Sequence, residues 1–153
     1  MPTKTAAKST KIWTDEEKAA MQDSARERKS QAKLTPEEAR AAGEQEIQTK
    51  IAELPAGERE IAARVHEVVS AAAPNLVPRT YYGMPAYATE GKDGKVICFF
   101  QSPSKFKVRY ATLGFQPDAK LDDGDIWPIA FAVTKLTPAV EKRVTELVKK
   151  AAG

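Results

Sequence analysis

The sequence predicts an α+β domain, a two-layer sandwich with helices packed on one face of a mainly antiparallel sheet. Three observations predict it. Ile61, Val65, Val68 and Val69 recur at helical spacing ahead of the middle of the chain, and Val140, Val144, Leu147 and Val148 do so near its end. Between these stripes, residues 78–133 switch to short extended runs punctuated by Gly, Pro and Asp. The chain has 153 residues, 42% hydrophobic and 29% charged, enough for one core and a short extension.

Residues 1–12 hold Lys4, Lys8 and Lys11 with no acid and are expected to form a disordered basic tail. Thr14-Asp15-Glu16-Glu17 is a capping box, so a helix begins there. Its apolar content is mostly Ala with Met21, which predicts a solvated helix. Residues 13–39 are therefore expected to be a helical extension, and 40–153 the α+β domain. A second box, Thr35-Pro36-Glu37-Glu38, opens the next helix, whose narrow stripe is Ile47, Ile51 and Leu54. Leu54-Pro55-Ala56-Gly57 breaks it, and the helix carrying Val65 follows as its antiparallel neighbour.

Tyr81-Tyr82 and Ala86–Thr89 read as short extended pieces around Gly83-Met84-Pro85. Gly91-Lys92-Asp93-Gly94-Lys95 is turn chemistry, predicting a hairpin that leads into Val96–Gln101. Val96–Phe100 is apolar on both faces, as a central strand would be. Lys105–Thr112 alternates, with Phe106, Val108 and Tyr110 on one side and Lys105, Lys107 and Arg109 on the other, and predicts a half-buried strand. Ile126–Val133 predicts an edge strand because it contains Pro128. Thr137-Pro138 caps the last helix.

Composition excludes several chemistries. One cysteine cannot staple a fold, and one cysteine with one histidine cannot close a His/Cys zinc site. No phosphate-binding glycine loop, nucleophile elbow or zinc-protease motif is present, so catalysis is not expected. Cys98, inside an apolar run, reads as a small buried hydrophobe, and His66 as a boundary residue with its ring satisfied. The longest aromatic-aliphatic run falls far short of the ~18 residues of a membrane span. The N-terminus lacks a signal-like apolar core, so a cytoplasmic protein without a membrane partner is expected.

Charge is unevenly distributed. Residues 34–75 carry eight Asp/Glu against four Lys/Arg, and residues 76–117 carry six Lys/Arg against two Asp/Glu. Within the acidic block, Glu58, Glu60 and Glu67 leave the apolar stripe and read either as a carboxylate ridge for a cation or as a solvated helix face. Asp122, Asp123 and Asp125 around Gly124 read either as hard-cation ligands or as a loop whose Asp side chains bond its own backbone. In the basic block, Lys105, Lys107 and Arg109 form a candidate anion-binding stripe on an open sheet face. Tyr82, Met84, Pro85 and Tyr87 would shape a pocket beside it for an anionic ligand, nucleic acid or protein partner.

The string Tyr81-Tyr82-Gly83-Met84-Pro85-Ala86-Tyr87, with Gly94–Phe100, Lys105-Phe106 and Leu113-Gly114-Phe115, resembles a small bacterial family that includes frataxin-like iron chaperones. The likeness spans about residues 40–150 and is tightest over 79–133. It implies a frataxin-like sandwich and no tightly bound cofactor. It also implies iron held loosely by surface carboxylates and passed to iron–sulfur or haem assembly proteins.

Overall fold

The computed structural model describes residues 12–31 and 34–153, with Ser30 and Gln31 described by backbone alone. The expected basic tail lies outside the described residues except for Ile12. Among the described residues, four α-helices and a five-stranded sheet make an α+β arrangement: α1 (Asp15–Gln31), α2 (Pro36–Ala52), α3 (Ala56–Ala72), β1 (Val77–Tyr81), β2 (Met84–Ala88), β3 (Val96–Gln101), β4 (Ala111–Phe115), β5 (Ala130–Val133) and α4 (Pro138–Ala152). The strands lie in chain order, each antiparallel to the next.

The helix starts follow the capping residues. Thr14 and Glu17 exchange reciprocal backbone-to-side-chain bonds at 3.1 and 3.2 Å, and Thr35 accepts from the Glu38 N–H at 3.2 Å. Thr137 caps α4 in the same way. α2 crosses the expected boundary between residues 39 and 40, and its Ile47 and Ile51 are buried in the core.

Register separates the two faces of the sheet. Tyr87, Cys98 and Phe115 stand opposite one another across β2, β3 and β4, and Phe100 and Leu113 share their face. Those side chains form one buried cluster with Ile47 and Ile51 of α2, Val65 and Val69 of α3, and Val144 and Val148 of α4. Arg79, Ala86, Phe99, Gly114 and Ala130 make the corresponding row on the other face. Gly114 leaves room there for the Phe99 ring, which an added Cβ would strike. Ala130 and Ala132 are exposed.

Two strand expectations need correction. Lys105–Tyr110 is not a strand: a single 3-10 turn spans Pro103–Lys105, and β4 begins only at Ala111. Pro103 starts the turn, the Val108 N–H closes onto the Pro103 carbonyl at 3.0 Å, and Lys107 takes a left-handed φ of 54°. Local hydrogen bonds thus occupy groups that a ladder would have used. At the sheet edge β5 is only Ala130–Val133, while Ile126 stays 88% exposed ahead of Pro128.

The turn joining β1 to β2 holds two residues, Tyr82 and Gly83, both with positive φ (50° and 76°). That is the geometry of a type I′ hairpin turn, which matches the twist of its strands. Glycine adopts it freely; a tyrosine needs support. Glu27 of α1 supplies it, accepting the Gly83 N–H at 2.9 Å and the Tyr82 N–H at 3.1 Å. Among the described residues no helix is long and apolar enough to cross a membrane.

Candidate functional site

The expected anion-binding surface does not assemble. With the 105–110 strand absent, Lys105 turns into a cavity of about 200 Å³ beside Met84 and Pro85, and burial pushes its amine pKa down. Lys107 instead pairs with Glu16 at 2.7 Å, and Arg109 lies 5.0 Å above the Tyr110 ring. Tyr87 points to the helical face and is buried, while Tyr82 sits in the hairpin turn. One stripe was expected; the side chains disperse over three places.

The acids are dispersed as well. Glu58 accepts the Ser104 N–H at 2.7 Å, and Glu67 pairs with Arg64 at 2.7 Å. Glu60 is exposed, and Asp122, Asp123 and Asp125 are exposed in the β4–β5 connection. Among the described residues, no three or more His, Cys, Asp or Glu side chains are grouped so as to hold a metal ion.

His66 and Cys98 behave as packing residues. The Cys98 thiol is buried, and burial pushes its pKa up to about 12, which disfavours the thiolate at neutral pH. His66 links three elements: its Nε2 lies 2.8 Å from a Glu44 oxygen and its Nδ1 lies 2.7 Å from the Tyr87 hydroxyl. A carboxylate only accepts, so Nε2 donates to Glu44. Burial would raise the Glu44 pKa, but hydrogen bonds from His66 and Gln48 outweigh it and hold the carboxyl below its ordinary value. Glu44 and Tyr87 also line a cleft of about 580 Å³ with Arg40. There Arg40 is committed to the carbonyls of Pro74 and Leu76 and to Glu90.

Uncommitted positive charge lies on the other face of the sheet. Arg79 projects from β1 on the row shared with Ala86 and Phe99. Two hollows share Arg28 and Arg79 in their walls. One, of about 300 Å³, adds Tyr81, Tyr82, Lys95 and Gln116; the other, of about 460 Å³, adds Leu34, Ala39, Val77, Ala88 and Lys92. Arg79 Nε is the one buried side-chain nitrogen or oxygen, among the described residues, that lacks a hydrogen-bond partner. Neither Arg28, Lys92 nor Lys95 joins an ion pair among those residues.

The acids lining these hollows are Glu27, Glu90 and Asp118. Both Glu27 oxygens serve the hairpin turn, and Glu90 is held by Arg40 at 3.1 Å. Burial raises the Glu27 pKa even though the Gly83 and Tyr82 N–H groups oppose the shift. Arg28, Arg79, Lys92 and Lys95 were not recognised from sequence. The available signal was the net positive block at 76–117, but only the folded chain shows which of its cations line common hollows with Arg28 of α1. Comparison with protein-family models, with curated proteins and with solved structures finds no match for this chain.

Proposed function

We propose that the protein is a non-catalytic recognition module that binds an anionic ligand on the sheet face turned away from α3 and α4, beside the start of α2. Arg79 is the first contact, and Arg28, Lys92 and Lys95 add positive charge around it. The observation that carries this reading is Arg79, which lines both hollows and whose buried Nε has no hydrogen-bond partner. Burying an N–H donor without an acceptor costs on the order of 1–3 kcal/mol, more beside a charge, and a ligand oxygen would remove that cost. A frataxin-like two-layer sandwich is part of the same proposal, supported by the meander of strands and the single cluster joining three helices to one sheet face. Iron carriage would need grouped carboxylates, whereas Glu58 and Glu67 are engaged by Ser104 and Arg64. The geometry therefore favours an anion.

The test is a titration with inorganic phosphate and phenyl phosphate at low ionic strength, following the arginine Nε–H signals by NMR. The Arg79 signal is expected to shift and saturate, and Arg79→Met to abolish binding of both anions. If the Arg79 signal stays still up to high millimolar phosphate and phenyl phosphate, the proposal is wrong.

A further inference from the structure

The two hollows that meet at Arg28 and Arg79 differ in character. The 300 Å³ hollow is lined by Tyr81, Tyr82, Lys95 and Gln116, groups that offer hydroxyl, amide and ammonium donors. The 460 Å³ hollow has Leu34, Ala39, Val77 and Ala88 as an apolar stretch of its lining, beside Arg28, Arg79, Lys92 and the Arg40-paired Glu90. Its size lies within the roughly 300–1,000 Å³ of small-molecule clefts. The register explains its depth. Val77 pairs with Ala88 and Arg79 with Ala86, so the β2 residues beneath the larger β1 side chains carry only methyl groups. Leu34, just ahead of α2, and Ala39, in its first turns, add to the lining.

We infer that the ligand is a free single-chain amphipathic anion: an acidic head held by Arg28 and Arg79, and a linear apolar tail lying in the Leu34–Val77–Ala88 slot. This rests on the anion-binding reading above and adds the tail. A small inorganic anion would use the guanidinium groups and leave the slot wet. Two arginines lining the same hollow as an apolar stretch match a molecule that is charged at one end and greasy along its length. Arg is suited to the head because its planar fork holds a carboxylate or phosphate by two parallel bonds. Lys92, at the rim of the slot, adds attraction on approach.

The experiment is calorimetric titration of the full chain with hexanoate, octanoate and decanoate below their micelle concentrations, alongside decanol, decyl phosphate and inorganic phosphate. Each added methylene is expected to tighten binding about fourfold until the slot is full. Decyl phosphate should follow decanoate, and decanol should bind at least tenfold more weakly than decanoate. Leu34→Ser, a change in the half-buried connection ahead of α2, should flatten the chain-length dependence while inorganic phosphate binds as before. Equal affinity for hexanoate and decanoate would remove the tail and leave the anion reading standing. Decanol binding as tightly as decanoate would remove the charged head. If neither phosphate nor any carboxylate binds, the anion reading fails together with this one.

Discussion

Gly43 of α2 runs so close to the Pro78 carbonyl of β1 that a side-chain carbon on Gly43 would overlap the oxygen. This contact sets how near α2 can lie to the first strand, and through the strand it sets the height of Arg79, the next residue along β1. Gly43→Ala tests it. Helix propensity alone would stabilise α2 by about 1 kcal/mol. The overlap is with backbone, which cannot swing aside, so a net loss of about 1–3 kcal/mol is expected. Urea unfolding measures it, and a higher midpoint than the parent would refute the close approach.

Glu27 ties α1 to the type I′ turn and is more easily protonated in the folded chain, because burial raises its pKa. For an acid with a raised folded pKa, the contribution is fully present below the unfolded value near ~4.3 and is lost as pH rises through the folded value. The parent should therefore gain stability relative to Glu27→Gln as pH falls from 7 towards 4. Paired urea curves at several pH values give the difference. A difference that shrinks on acidification contradicts the sign.

The Tyr87 hydroxyl hydrogen-bonds a buried His66 ring whose other nitrogen is already committed to Glu44. Tyr87→Phe keeps the ring in place and leaves Nδ1 without its partner, at a cost of roughly 1–3 kcal/mol. In the background of His66→Phe the same change should cost at least twofold less, because the unsatisfied partner is gone. Identical losses in the two backgrounds would show that the hydroxyl acts elsewhere.

Arg79 is expected to trade stability against binding. Arg79→Met retains an apolar stem of similar length and removes the orphaned Nε donor, so the folded state should gain about 1 kcal/mol while phosphate binding disappears. A loss of stability on this change, measured by thermal and urea unfolding, would mean that the guanidinium already has a structural partner.

Much of the fold was legible in local chemistry. Thr14, Thr35 and Thr137 mark helix starts because each offers an oxygen to a backbone N–H a few residues on. The stripes Val65/Val69 and Val144/Val148 are buried because one face of each helix meets the same strands. Lys105–Tyr110 misled for an equally physical reason. Its alternation is that of a strand, but alternation records which sides differ in polarity and not whether a neighbouring chain offers hydrogen bonds. Pro103 and the left-handed Lys107 close a turn instead, and the stripe expected from Lys105, Lys107 and Arg109 goes with it.

The candidate site lay further from view. Arg28, Arg79, Lys92 and Lys95 are spread over 68 positions and share no motif. Composition could say that residues 76–117 were basic, and periodicity could say that helices flanked a sheet. Those properties belong to neighbours along the chain, and the sequence determined them by itself. Which cations stand together was decided only when strand pairing put Arg79 beside Ala86 and the fold put Arg28 and Leu34 in the lining of the same hollow. Charge and burial act through distance in space, and only the folded chain defines that distance.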